Sequence, residues 1–298
     1  MRRSSASWLA DGALLVVAIS WGLNFVIIKW TLNQMTPFYY LAFRFSLALA
    51  VILLLFGRRL RGLTRRDWLA GLVIGLFLFG AFAAQTVGLK YTTPGKSGFI
   101  TGLNVVLVPL LQWLLIRRFP GYNAVFGAIL ATTGLGLLSL NGNLSLATGD
   151  LLTLLCALLY AGHIVAISRL GSRTDPVALT VVQIGVAAIG NVVLALFLEP
   201  WPTAIPAFSW GSIAYGALIG TVLAFTVQTA AQKRTPPSHT AVILSAESMF
   251  AGLASVLLWG EALTLRSILG AGLILAGIVT AELRREGAAE AVQAEIPA

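Results

Sequence analysis

Runs of about twenty apolar residues recur along the chain, separated by short stretches rich in arginine, proline and glycine. The runs are continuous rather than alternating, and each is about twice the ten residues a transmembrane β-strand needs. A hydrocarbon core of about 30 Å is crossed by roughly 20 apolar residues in a helix. Ten segments meet that length, at 8–28, 37–56, 67–89, 95–116, 121–140, 150–168, 176–198, 209–231, 238–259 and 264–283. The pattern predicts an all-α polytopic membrane protein with ten transmembrane helices and almost nothing left for a soluble domain.

Composition agrees: 58% of the 298 residues are hydrophobic and 10% charged, where a soluble chain carries about a quarter charged. The net charge of +9 would suit nucleic acid, but its distribution argues for a membrane. With the N-terminus in the cytoplasm, the cytoplasmic connections hold Arg2, Arg3, Arg58, Arg59, Arg61, Arg65, Arg66, Arg117, Arg118, Arg169, Arg173, Lys233, Arg234, Arg284 and Arg285. Only Lys29, Lys90, Lys96 and Arg266 fall on the other side, and Arg44 lies within a span. This bias predicts both termini in the cytoplasm, in a bacterial inner membrane, with no nucleic-acid partner. The N-terminus imitates a signal peptide, but no small-x-small cleavage site follows its apolar run. Residues 286–298, Ala- and Glu-rich, are expected to be a disordered tail. Trp8, Trp30, Trp68, Trp201 and Trp210 fall near span ends, as interfacial belts do.

The chain also repeats itself. QTVGLKYTTPGKS from Gln85 aligns with QTAAQKRTPPSHT from Gln228; Gly127 and Gly134 meet Gly270 and Gly277; Asp11 meets Asp150 and Pro37 meets Pro176. Residues 1–143 and 144–285 are thus two five-helix repeats. Five is odd, so the second repeat enters the membrane from the opposite side. The result is a five-plus-five inverted repeat, an architecture of transporters that rock around a central site.

Ionisable and strongly polar groups inside spans are expensive, at least ~2.5–3.5 kcal/mol for a charge, and their default reading is functional. The repeat pairs many of them. Glu247, near the middle of the ninth span, is the mate of Asn104 in the fourth. Asn24 is the mate of His163, Trp21 of Tyr160, Gln85 of Gln228 and Arg44 of Gln183. With the aromatics Phe82 and Phe99, these residues are expected to line a central cavity: Trp21, Asn24, Arg44, Phe82, Gln85, Phe99, Asn104, Tyr160, His163, Gln228 and Glu247. Glu247 and His163 are the candidates for proton coupling, although Glu247 would equally serve a substrate ammonium or tie helices together. Pro109 and its mate Gly252 are candidate hinges. The fifth and tenth spans are nearly free of polar groups, and their matched glycines make small-residue seams for supporting helices or a dimer contact. PGKSG at Pro94 lacks the first glycine of a phosphate loop, no catalytic set or metal cluster is present in the sequence, and no cofactor is implied. The chemistry reads as non-enzymatic. A receptor or membrane anchor without transport is the alternative of a different class.

These residues carry a resemblance. AESMFAGLASVLLWGEALTLRSILGAGLILAGIVTAEL is similar to the closing helices of EamA-type proteins of the drug/metabolite transporter superfamily, with Glu247, Gly260-Glu261, Gly270 and Gly277 in the matching places. LNVVLVPLLQWLLIRRFPGYNAVFGAILATTGLGLL echoes it in the first half, with Pro109 at the family's proline but Arg117-Arg118 where Gly-Glu would stand. The second half also departs at Ser248-Met249, where the acid is often followed by proline. AISWGLNFVIIK resembles the family's first helix. The resemblance implies secondary export of small metabolites, with amino acids favoured, as in YddG-like exporters of aromatic ones; drugs and nucleosides are the alternatives.

Overall fold

The computed structural model describes residues 5–117, 119, 121–139, 147–233 and 237–282. Among them the regular structure is helical throughout, with no strand. Ten rods form the bundle: α1 (Ser5–Thr31), α2 (Pro37–Phe56), α3 (Arg65–Tyr91), α4 (Pro94–Thr101 continued by Asn104–Ile116), α5 (Tyr122–Ser139), α6 (Thr148–Leu170), α7 (Pro176–Leu198), α8 (Ala207–Ala231), α9 (Pro237–Ala254 continued by Ser255–Trp259) and α10 (Leu265–Glu282). Eight carry stretches long and apolar enough to cross a membrane; α5 and α10 have shorter apolar stretches, Val125–Leu137 and Leu265–Thr280. The expected tail lies outside the described residues, as do Arg2, Arg3, Arg118, Arg234, Arg284 and Arg285.

The helices begin where side chains can receive their free N–H groups. Thr64 and Asp67 form a capping box on α3, with Asp67 Oδ2 accepting from Thr64 N at 2.9 Å. Thr93 caps α4 ahead of Pro94, and Asp175 caps α7 ahead of Pro176, its Oδ1 accepting from Ala178 N at 2.9 Å. Proline at the first helical position loses nothing, since that N–H has no partner in a helix anyway.

Three rods depart from the regular helices the hydropathy pattern predicts. α4 breaks at Gly102–Leu103, where Val105 N bonds Gly102 O and Val106 N bonds Leu103 O, a tightened three-residue pattern. α8 opens into a π-helical turn over Leu218–Leu223, and α9 ends in another over Ser255–Trp259. The irregular backbone of α4 lies before Pro109 and that of α9 lies after Gly252, so neither candidate hinge is itself the break.

Packing follows the repeat. α2 lies against α7, α4 against α9 and α5 against α10, each helix thus meeting its own mate; α3 packs on α6 as α8 packs on α1. The bundle has a terminal end, where α1 begins and α10 stops, and a distal end, where α1 gives way to α2. α2 and α7 are pinned at both. At the distal end Glu199 accepts from Phe38 N (3.0 Å) and Tyr39 N (2.9 Å), placing a carboxylate on the positive end of α2. At the terminal end Arg59 Nη1 pairs with Asp175 Oδ2 at 2.8 Å. Glycine makes the closest crossings: a Cβ on Gly134 would stand 2.5 Å from Gly270 O, and one on Gly277 the same distance from Gly127 O. The matched glycine seams are therefore taken up within the chain, α5 on α10. Leu54, Leu114, Leu196 and Phe197 point outward, as lipid-facing side chains do.

Candidate functional site

Two neighbouring cavities lie at the centre. The first is lined by Trp21, Asn24, Phe25, Ile28, Arg44, Phe82, Gln85, Tyr160 and Glu247. The second is lined by Trp21, Asn104, Tyr160, Ile164, Gln228, Leu244 and Glu247. Trp21, Tyr160 and Glu247 belong to both. The repeat exchanges one cavity for the other: Trp21 with Tyr160, Phe25 with Ile164, Gln85 with Gln228, Glu247 with Asn104. They are the two halves of one pseudo-symmetric chamber, the first toward the distal end and the second toward the terminal end.

The halves differ in charge. Arg44, on α2, is fully buried. Its Nε donates to Thr221 Oγ1 at 3.0 Å and its Nη2 to Gly220 O at 3.2 Å, while Nη1 has no partner. The guanidinium lies 4.7 Å from the centre of the Phe82 ring, within cation–π range. Gly220 O also accepts from Trp21 Nε1 at 2.9 Å. This carbonyl and Thr221 are available because α8 is π-helical here; Thr221 Oγ1 in turn donates to Gly216 O, five residues back, at 2.8 Å. Bulges of this kind are frequent at functional sites.

Glu247, 5% exposed, is held between the halves by the close approach of α1 and α9: a Cβ on Gly22 would stand 2.8 Å from Glu247 O and 2.9 Å from Ala251 N. Among the described residues no lysine or arginine pairs with the Glu247 carboxylate. Asn24 Oδ1 in the distal half, and Asn104 Oδ1 and Gln228 Oε1 in the terminal half, are buried without hydrogen-bond partners. Buried polar atoms are satisfied in nearly all folded proteins, so these, with Arg44 Nη1, mark places for water or a polar ligand. Phe82 supplies an apolar wall, edge-on to Tyr160 and Phe225 with ring centres 5.7 and 5.9 Å away.

Of the residues the sequence singles out, Trp21, Asn24, Arg44, Phe82, Gln85, Tyr160 and Glu247 line the distal half, and Asn104 and Gln228 the terminal half. Two do not line the chamber. His163 is fully buried with Nε2 2.7 Å from Gln183 Oε1, and its ring meets Phe225 edge-on; Gln183, the mate of Arg44, also donates to Thr229 Oγ1 at 3.2 Å. The pair that would mirror Asn24 and Arg44 is thus bonded to itself, away from both cavities. Phe99 turns to Gly252, whose missing side chain leaves room for its ring. The sequence reading overlooked Phe25, Ile28, Ile164 and Leu244, ordinary apolar residues in apolar spans, and Gly220 and Thr221, whose part depends on the π-turn.

The EamA-like transporter family model matches residues 8–140 and, a second time, 147–281. The chain belongs to the EamA-like transporter family. Its relatives include an uncharacterized transporter of Archaeoglobus fulgidus, 35% identical over 92% of this chain and 86% of that one. The uncharacterized transporter YyaM of Bacillus subtilis is 28% identical over 90% of this chain and 92% of its own. A crystal structure at 20% identity superposes with a TM-score of 0.69, covering 96% of this chain and 99% of that one, which shows a shared fold. As an EamA-like transporter the protein is a multi-pass membrane protein, and its doubled family match coincides with the repeat visible in both sequence and packing.

Proposed function

We propose that the protein is a secondary transporter that exports small amphipathic zwitterions, chiefly amino acids with apolar or aromatic side chains, by alternating access of its two five-helix repeats. The observation that carries this reading is one cavity holding both an arginine with a free Nη1 and a carboxylate with no cationic partner among the described residues, beside aromatic walls. A guanidinium suits a substrate carboxylate through charge-assisted hydrogen bonds, Glu247 suits the ammonium, and Trp21, Phe25, Phe82 and Tyr160 suit the side chain. The arginine-rich terminal end favours a cytoplasmic position for both termini in the bacterial inner membrane.

The test is counterflow in proteoliposomes containing only this protein, with labelled amino acids, sugars and nucleosides. Exchange of apolar amino acids, and not of the others, is expected. Exchange of nucleosides alone would remove the zwitterion reading. No exchange of any solute would favour a non-transporting receptor.

A further inference from the structure

Beyond the chamber, the distal end holds a set of charged groups that substrate binding does not use. Asp150, at the start of α6, is 1% exposed. Its Oδ1 accepts from Thr92 Oγ1 at 2.6 Å and its Oδ2 stands 2.8 Å from Lys96 Nζ. Thr92 and Lys96 flank the α3–α4 junction of the first repeat, whereas Asp150 opens the second. One buried carboxylate therefore ties the repeats together. Its partner Thr92 follows the end of α3, about two helical turns beyond Gln85, which lines the distal half of the chamber.

Close backbone contact accompanies the ion pair. A Cβ on Gly149 would lie 2.7 Å from Gly88 O, and one on Gly88 2.9 Å from Gly149 O. Lys29, on α1, donates to the carbonyls of Leu89, Lys90 and Thr92 at 2.8, 3.1 and 2.9 Å. On the far side Glu261 accepts from Thr93 Oγ1 at 2.7 Å and Gly95 N at 3.2 Å, and from Ser255 Oγ. The α3–α4 junction is thereby held by α1, α6 and the end of α9 together.

We propose that Asp150, with Lys96 and Thr92, is the distal gate of the transport path, closed in this structure, and that the repeat provides its counterpart at the terminal end around Asp11. The aligned sequences put Asp11 where Asp150 stands and His239 where Lys96 stands. In an inverted repeat the two halves exchange conformations between the two open states. A contact that holds one end shut in one state therefore has its mate holding the other end shut in the other. The sequence makes the two ends unequal: the positions aligned with Gly88 and Gly149 are Ala231 and Ala10, and a Cβ at either glycine would stand within 3 Å of a backbone oxygen. The chamber accordingly rests with its distal end closed. This proposal depends on alternating access but not on the identity of the substrate.

The test reads access to the chamber directly. In the full chain carrying Cys156→Ala, Ile28→Cys is labelled by a membrane-impermeant maleimide, applied to intact cells and to inverted vesicles so that both faces are sampled. Labelling from the distal face is expected to be slow, and Asp150→Asn to speed it about tenfold or more, as removal of one member of a buried ion pair shifts a two-state equilibrium. Thr92→Val and Lys96→Met, each removing one partner, should act in the same direction. Gly277→Val, which loosens the α5–α10 seam away from the gate, should leave labelling unchanged; general loosening of the fold would instead speed it. Unchanged labelling in all three distal variants, or labelling as fast in Gly277→Val as in Asp150→Asn, would overturn the gate. Labelling that responds as expected in a protein that moves no amino acid supports the gate and counts against the substrate reading. Amino-acid flux with unresponsive labelling overturns the gate alone.

Discussion

Arg44 and Glu247 line the same cavity, one on α2 and the other on α9, and they do not pair with each other. Two opposite charges in an apolar interior lower their energy by meeting if the backbone lets them. Here Arg44 is held back by Thr221 and Gly220 and by the Phe82 face. Both groups therefore face one cavity, with Arg44 Nη1 left unpartnered.

If that molecule is an amino acid, each end can be tested with analogues. Arg44→Gln removes a charge-assisted bond worth about 1.5–3 kcal/mol, so apolar amino acids should bind roughly ten- to a hundredfold more weakly. Decarboxylated amines should be nearly unaffected. Competition against a labelled amino acid in proteoliposomes measures both.

Glu247→Gln should invert that discrimination. Amino acids should weaken, and the preference over deaminated acids of the same side chain should collapse. Rate and preference unchanged across the pH range of the assay would remove both the ammonium and the proton role for Glu247.

Thr221→Val keeps the shape of the side chain but loses the acceptor for Arg44 Nε and the donor to Gly216 O. The guanidinium is then free to swing, and affinity should fall by about tenfold, as expected for roughly 1.5 kcal/mol of lost hydrogen bonding. Because Thr221 does not line the cavity, Thr221→Ser should restore most of the loss. Equilibrium binding in detergent is the measurement.

Away from the chamber, Gly277→Val drives a side chain toward Gly127 O and Ala131. Backbone cannot yield as a flexible side chain does, and overpacking typically costs about 1–3 kcal/mol. The midpoint of thermal unfolding in detergent should fall, whereas Gly272→Ala, with nothing within 4 Å of its Cβ, should leave it in place.

Much of this protein is legible in the order of its residues because a bilayer leaves so little choice. Every backbone group must be satisfied inside its own segment, so apolar length alone marks the ten rods, and a charged or amide side chain within them is costly enough to point inward. That is why Arg44, Asn104, Gln228 and Glu247 stand out in the sequence. The same logic misplaces His163, because cost says only that a polar group needs a partner. Gln183 supplies one for Nε2, while Nδ1 stays buried without a partner, and the ring is not among the residues that line the chamber. Phe99 fails for a related reason: aromatic rings are at home anywhere in an apolar bundle, and the space over Gly252 was the better fit.

Hydrophobic thickness and the parity of five act on each segment alone, so the ten helices, their inverted duplication and the polar residues they must accommodate follow from the order of residues. The tertiary structure decided where the helices break, which of those residues share a space and which satisfy one another. The π-turn that frees Gly220 O, the separation of Arg44 from Glu247 and the meeting of Asp150 with Lys96 all arise from contacts between distant segments. Such contacts depend on how the rods approach, which no single segment encodes.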